Sequence, residues 1–108
     1  MITEIVTFKL PQGMTRAQLV ANFRQTAPKW HENPDLLRKN YLYDSANGLG
    51  GGVYLWNNME DAKRWHNDAF RQKVMEVYGS EPTINYFETP IVVDNVARKI
   101  TDEEGSPQ

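Results

Sequence analysis

The residues suited to chemistry are few, because the chain contains no cysteine and only two histidines. Thiolate catalysis and thiolate metal sites are therefore excluded. His66 lies between Ala62 and Phe70 at four-residue intervals on the apolar face of a predicted helix. There it could act as a general base beside an aromatic cavity, or it could be a histidine at the edge of the core that bonds a backbone carbonyl. His31 follows Trp30 at a helix end, where the helix dipole favours a cation.

A second group of candidate residues lies on two predicted strands joined by a glycine-rich turn. If the turn is centred on Asn47-Gly48, Tyr41 pairs with Tyr54 and Lys39 pairs with Trp56. One sheet face then carries two phenols, an indole and an ammonium group. These side chains could line a substrate pocket, or they could be core or interface packing, which is the usual role of aromatic residues. A long turn fixes the register poorly, so a one-residue slip would re-pair them.

The glycines of this turn do not form a nucleotide-binding loop. A phosphate loop delivers backbone amides at the start of a helix, whereas Gly48, Gly50, Gly51 and Gly52 precede a predicted strand. Val53 also stands where the last glycine of Gly-x-Gly-x-x-Gly belongs. We therefore expect a hairpin turn, with glycines that permit a bulge or a close backbone approach. Acidic residues show no clustering that requires a metal, and no metal site is predicted.

The elements that position these residues follow from the apolar patterns. Strands are predicted over 2–10, 36–44, 51–56 and 83–94, with Pro90 limiting the pairing of the last. A capping box of Thr15 and Gln18 begins one helix, in which Pro28 is expected to kink or fray the last turn. A single second helix follows Asn57 and ends near Gly79. The order βαββαβ predicts an α+β, ferredoxin-like fold: a four-stranded antiparallel sheet with two helices on one face.

The uncovered sheet face predicts a partner. Apolar residues occur at both even and odd positions of the strands, for example Val6 and Phe8 at even positions and Ile5 at an odd one. Since successive side chains point to opposite faces, both faces of the sheet should be buried. In a chain this small, a second copy is the simplest cover, and we expect a homodimer formed sheet face to sheet face.

Composition limits the possible classes. The chain has 108 residues, 40% hydrophobic and 24% charged, and a net charge of -2. It should form one globular domain over residues 1–97, followed by a flexible tail over 98–108. The charge does not favour a nucleic-acid partner, no run is long enough to span a membrane, and no signal peptide is visible at the start. We therefore expect a cytoplasmic protein.

Several segments together resemble the proteins classed as YdhR-like monooxygenases, over roughly Ile5 to Asn95. These belong to the dimeric α+β barrel superfamily, which includes the antibiotic-biosynthesis monooxygenases. The segments that carry the resemblance are Pro34-Asp-Leu-Leu-Arg-Lys39 with Tyr41, Gly51-Gly-Val-Tyr-Leu-Trp56, Ala62 with Trp65, Tyr78-Gly-Ser-Glu-Pro82, Tyr86-Phe87, and Val92-Val-Asp-Asn95. Asp35 stands where the family has a glycine after that proline, so the two loops differ at this position.

The resemblance implies a cofactor-independent monooxygenase that acts on a small aromatic or polyketide-like substrate. Related enzymes use dioxygen without metal, flavin or haem, because the carbanion or enolate of the substrate itself reduces oxygen. Trp65 matches the helical tryptophan that lines the pocket in relatives, and Met75 stands where the haem-degrading branch has a histidine, so no cofactor is expected. The predicted catalytic residues are His66, Tyr54 and Trp65, and the predicted substrate-binding residues are Tyr41, Lys39, Trp56, Trp30 and Phe70. The alternatives are a non-catalytic small-molecule-binding or structural protein, or an isomerase or dehydratase of the same superfamily.

Overall fold

A computed structural model of the chain describes residues 1–103 and has the predicted α+β, ferredoxin-like fold. Four antiparallel strands form the main sheet in the order β2-β3-β1-β4. They are β1 (Ile2–Lys9), β2 (Leu36–Asp44), β3 (Leu49–Trp56) and β4 (Thr83–Glu88), and the helices that cover one sheet face are α1 (Arg16–His31), α2 (Met59–Trp65) and α3 (Asp68–Tyr78). Within residues 1–103, no helix is long and apolar enough to cross a membrane.

The start of α1 confirms the predicted capping box. The Gln18 amide donates to the Thr15 hydroxyl at 3.1 Å, and the Thr15 amide donates to the Gln18 side chain at 2.9 Å. The predicted fraying of the last turn at Pro28 is wrong, because the helix continues to His31 and the Glu32 amide donates to the Pro28 carbonyl at 3.1 Å. Proline removes only its own amide from the helix, and its carbonyl still accepts a bond from the following turn.

The predicted single second helix is wrong, since the chain forms two helices with a break at His66 and Asn67. The backbone of His66 leaves the helical region, with φ -112° and ψ 58°. The Asn67 side chain then accepts the Phe70 amide at 3.2 Å and caps α3. An asparagine that can bond to a backbone amide two or three residues ahead favours a new helix start over a continuous helix. The break places His66 at the end of α2, where it faces the sheet.

The last predicted strand, 83–94, is also divided. Its first part is β4, whereas Ile91–Asp94 forms β5 and pairs with β6 (Lys99–Asp102) in a separate two-stranded sheet. The division falls at Thr89 and Pro90, since proline cannot donate to a ladder. The domain boundary predicted at residue 98 therefore falls inside a β-hairpin, and residues 104–108 of the predicted flexible tail lie outside the described part of the chain.

In the hairpin of β2 and β3, the side chains lie on the predicted faces of the sheet, but the strands pair in a different register. Lys39 pairs with Tyr54 and Tyr41 pairs with Gly52, so the expected pairing is wrong by two residues. The turn occupies residues 45–48, β3 begins at Leu49, and a register shift between Leu36 and Arg38 takes up the extra residue of β2. A shift of two residues keeps every side chain on its own face, because side chains alternate with a period of two.

The glycines of β3 allow the close backbone approach that the sequence predicts. A Cβ atom on Gly51 would lie 1.9 Å from the Val6 carbonyl oxygen, which is far inside van der Waals contact. A Cβ atom on Gly52 would lie 3.1 Å from the Lys39 Cε atom. Gly51 therefore lets β3 pack closely on β1, and Gly52 leaves room for the Lys39 stem.

Candidate active site

A cavity of about 430 Å³ lies between the sheet and helices α1 and α3. Strand residues form its floor and helix residues form its walls. Its aromatic side chains include Phe8, Trp30, Tyr41, Tyr54, Phe70 and Tyr78. Of the eight predicted site residues, Tyr54, Tyr41, Lys39, Trp30 and Phe70 line this cavity, whereas His66, Trp65 and Trp56 do not.

Lys39 is surrounded by aromatic rings. Its Nζ atom lies 3.8 Å from the ring centroid of Tyr41, 4.5 Å from that of Tyr54 and 4.7 Å from that of Trp30. The pKa of Lys39 is lowered to about 7, mainly by burial and secondarily by the charge of Lys29, while Glu4 opposes the change. An amine in this position is close to half neutral at physiological pH, so it can accept a proton as well as carry a charge.

Tyr54 and Tyr41, two of the three phenols that line the cavity, are neutral hydrogen-bond donors. Burial first, and then the charge of Glu4, raise the pKa of Tyr54 well above its usual value. Burial also raises the pKa of Tyr41, although a hydrogen bond with Thr26 acts in the opposite direction. The hydroxyl oxygens of Tyr41 and Thr26 lie 2.5 Å apart. Neither phenol can therefore serve as a base near neutral pH, but each can donate to an oxyanion.

Behind the cavity floor lies a buried polar cluster of Glu4, Trp56 and His66. The Glu4 side chain is fully buried, and its Oε1 atom accepts the Trp56 indole N–H at 2.8 Å. The same oxygen lies 2.5 Å from the His66 Nδ1 atom. A buried carboxylate needs such partners, because an unpaired charge in the interior is costly. Within residues 1–103, the His66 Nε2 atom has no hydrogen-bond partner.

His66 lies one layer behind the cavity wall. The residue is 3% exposed, and the centroid of its ring lies 4.4 Å from that of the Tyr54 ring and 4.1 Å from that of the Phe70 ring. Its partner is the Glu4 carboxylate, not the backbone carbonyl expected of a core-edge histidine. His66 thus contacts the back of two residues that line the cavity. Direct contact with a ligand in the cavity would require one of these rings to move.

Trp65 lies at the surface, beside the cavity. It is 36% exposed, and its indole N–H donates to Asp35 at 3.0 Å. Its ring meets the edge of Trp30 at 6.4 Å, in a groove next to the cavity. Hydrogen bonds from Trp65 and Arg64 lower the pKa of Asp35. Asp35 thereby ties the loop before β2 to helix α2.

Sequence reasoning missed Glu4 as a member of the site. Ile2, Glu4, Val6 and Phe8 alternate on β1 and are all buried. A carboxylate on the core-facing parity of a strand predicts a buried partner, and that signal was available. In the described residues 1–103, no three histidine, aspartate or glutamate side chains come together as a metal site.

Comparisons with known proteins support the fold. No protein-family model and no curated protein matches the sequence. SnoaB, a cofactor-independent oxygenase from Streptomyces nogalater, is similar in structure with a TM-score of 0.59 and 15% identity, over 82% of this chain and 91% of that chain. A protein from Deinococcus radiodurans that is classed as an antibiotic biosynthesis monooxygenase has a TM-score of 0.61 and 14% identity, over 87% of this chain and 97% of that chain. At these identities the likeness establishes a shared fold.

Proposed function

We propose that the protein is a cofactor-independent monooxygenase of the YdhR-like type, acting on a small aromatic or polyketide-like substrate. The observation that carries this proposal is the cavity itself: about 430 Å³ between sheet and helices, with aromatic walls and the Lys39 amine beside the phenols of Tyr41 and Tyr54. Pockets for small molecules have this size and this composition of apolar walls with a few polar groups. The cofactor-independent oxygenase SnoaB has the same fold, which adds support.

The proposed reaction needs little from the protein. A substrate CH₂ group activated by a neighbouring phenol or enol loses a proton, and the resulting carbanion reduces dioxygen. One oxygen atom becomes the new C=O group and the other leaves as water, so no external reductant is required. The protein has to exclude water, accept a proton and stabilise the oxyanion. The cavity walls supply the first, and the neutral phenol of Tyr54 supplies a donor for the oxyanion.

The three predicted catalytic residues have different roles in the proposed reaction. Tyr54 contacts the substrate directly, since it lines the cavity. His66 acts as a positioning residue, because it packs behind Tyr54 and Phe70 and is held by Glu4. Trp65 acts through Trp30, whose indole separates it from the site residues on the sheet. The resemblance to pocket-lining tryptophans of relatives remains the reason to include it.

One observation favours the rival interpretation as a binding protein. His66, the predicted base, lies behind the cavity wall and not on it. A binding protein would need only the cavity, whereas an isomerase or dehydratase would need a proton acceptor but no oxygen. The three functions therefore differ in their dependence on oxygen and in whether product forms.

Turnover of anthrone-type and quinol-type substrates under air and under nitrogen separates these functions. We expect oxygen uptake and a quinone product only under air, with a loss of at least tenfold in Tyr54→Phe and a smaller loss in His66→Ala. Lys9→Met, which changes an exposed cation at the end of β1, is the matched control. Product formation under nitrogen would indicate an isomerase or dehydratase, and binding without product would indicate a binding protein. Unchanged activity in Tyr54→Phe, His66→Ala and Trp65→Phe would refute the proposed site.

We also propose that the protein is a homodimer formed through the uncovered sheet face. Among residues 1–103, no helix covers this face. It carries half-buried or exposed apolar side chains: Ile5, Leu42, Val53, Leu55 and Phe87. Phe87 is 53% exposed, and an apolar surface of this kind is typical of an interface.

Light scattering during size-exclusion chromatography tests the dimer. We expect twice the chain mass for the wild type and a single chain mass for Leu55→Lys, since a buried unpaired ammonium opposes association. Gln72→Lys adds the same charge to an exposed position of α3 and should leave the mass unchanged. A wild-type protein that elutes as a monomer at all concentrations would contradict the proposal.

A further inference from the structure

We propose that Lys39 is the proton acceptor of the cavity, so that the site selects acidic phenols and enols and holds them as oxyanions paired with the lysine ammonium. This inference rests on the proposed function for its place in catalysis, and it names the substrate class of that site. The binding step itself requires no oxygen, so it can be tested apart from turnover.

The position of Lys39 in the cavity carries the inference. Its stem passes over Gly52, where a Cβ atom would lie 3.1 Å from Cε, and its amine ends among three aromatic rings. No carboxylate of residues 1–103 forms an ion pair with it. Charges enclosed by apolar groups are normally paired, so a half-buried amine that lines a cavity without an ion-pair partner indicates an anionic partner supplied from outside the chain.

The surroundings accommodate both protonation states of the amine. Low polarity favours the neutral form, and burial accordingly lowers the pKa of Lys39 to about 7. The faces of Tyr41, Tyr54 and Trp30 attract the cation once it forms. A general base works best when its pKa lies near the working pH. The charged or titratable groups around Lys39 are Lys29 on α1, Glu4 on β1, Tyr41 on β2, Tyr54 on β3, and Lys73 and Tyr78 on α3.

Other groups near the cavity suit this role less well. The phenols of Tyr54 and Tyr41 have raised pKa values and remain protonated. His66 is held by Glu4 behind the wall. Lys73 lines the rim, and its side chain is exposed to solvent and not enclosed by the aromatic rings that surround Lys39. Lys39 is therefore the group on the described cavity wall that can take a proton near neutral pH.

The proposed step is a proton transfer. The ligand O–H bond breaks, a new N–H bond forms on the neutral Lys39 amine, and the ligand becomes an oxyanion. The ammonium then pairs with this oxyanion, and the Tyr54 phenol lies close enough to the amine to donate to the same oxygen, since Nζ is 4.5 Å from its ring centroid. In the dioxygen reaction, loss of the enol O–H proton to Lys39 gives the same delocalised anion as loss of the CH₂ proton, and this anion is the electron-rich form that reduces oxygen.

Titration with 4-nitrophenol under nitrogen tests this inference, because the absorption of the dye reports its ionisation. At a pH where the free dye is neutral, we expect the dye bound to the wild type to be ionised. Its affinity should be bell-shaped in pH: it falls at low pH, where both partners are protonated, and at high pH, where both are deprotonated. 4-Nitroanisole, which has no acidic proton, should bind more than tenfold more weakly.

Variants at position 39 make the test specific. Lys39→Met should lose dye ionisation and at least tenfold in affinity. Lys39→Arg keeps the charge but cannot give up or accept a proton, so its affinity should rise with pH, without a bell shape. Lys9→Met should behave as the wild type, and circular dichroism should show that each variant is folded.

Two results would overturn the inference: a dye that binds to the wild type in its neutral form, and equal ionisation in Lys39→Met and the wild type. Failure of the wild type to bind the dye would also refute selection of acidic phenols. If the dye is ionised as expected but no substrate is oxidised, Lys39 has the proposed role and the monooxygenase function is wrong.

Discussion

The cavity and the buried cluster behind it both hold ionisable groups among aromatic rings, but they differ in the partners that these groups have. In the cluster, the Glu4 carboxylate is shared by the Trp56 indole and the His66 imidazole. In the cavity, the Lys39 amine has aromatic rings around it but no carboxylate partner in residues 1–103. Removing one partner of a buried polar cluster destabilises the fold, whereas an amine that has no ion-pair partner beside a cavity is available to a ligand.

Removal of Glu4 should give the largest effect on stability. Glu4→Ala leaves the His66 and Trp56 donors without an acceptor in the interior, and we expect the free energy of unfolding to fall by about 3–5 kcal/mol. Glu4→Gln keeps the shape and one acceptor, so its loss should be smaller. Urea unfolding followed by tryptophan fluorescence measures both.

Glu76→Ala, at an exposed position of α3, is the matched control and should change stability by less than about 0.5 kcal/mol. If Glu4→Ala proved as mild as this control, the cluster would not stabilise the fold and the contrast with Lys39 would disappear.

Removal of the Lys39 amine should raise the free energy of unfolding, whereas removal of Glu4 should lower it. The pKa of Lys39 is about 7 in the folded state and 10.5 ordinarily, so the unfolded chain binds more protons between these values. The loss of folding stability caused by the lowered pKa of Lys39 is complete below pH 7, and it disappears as the pH rises through about 10.5. We therefore expect Lys39→Met to be more stable than the wild type at neutral pH, on the order of 3 kcal/mol.

This advantage of Lys39→Met should shrink as the pH approaches 10, as measured by urea unfolding at several pH values. Lys9→Met, at an exposed position, should show no such trend. A Lys39→Met variant less stable than the wild type at every pH would mean that packing by the stem, and not the charge, dominates at this position.

Local patterns were sufficient to predict most of the fold. Alternation on the strands and the capping box of Thr15 identified the elements and their order, because these signals involve residues close in sequence. The alternation also placed Lys39, Tyr41 and Tyr54 on one face although their register was wrong by two residues. Such an error preserves the face, which is why these three side chains still lie on the same side of the sheet.

Which helix residues face the cavity depends on where each helix starts and ends. The sequence did not reveal the break between α2 and α3. A continuous helix would carry His66 and Phe70 on one face towards the cavity, but the Asn67 cap restarts the helix after His66. The pairing of His66 with Glu4 joins residues 62 positions apart, which no local pattern can report. Long-range pairs of buried polar residues therefore had to come from the structure.

The smallest expected change concerns Trp65, which is more exposed than Lys39 and than the residues of the buried cluster. Its indole donates to Asp35, and Trp65→Phe removes that bond while it keeps an aromatic ring against Trp30. The pKa of Asp35, which is lowered first by Trp65 and then by Arg64, should rise towards its usual value, as carboxyl NMR titration would show. Because a lowered carboxyl pKa stabilises the fold at neutral pH and loses this effect in acid, the variant should also respond slightly less to acidification. If turnover instead fell as far in Trp65→Phe as in Tyr54→Phe, Trp65 would belong to the cavity in the working protein, and the groove beside Trp30 would be part of the substrate site.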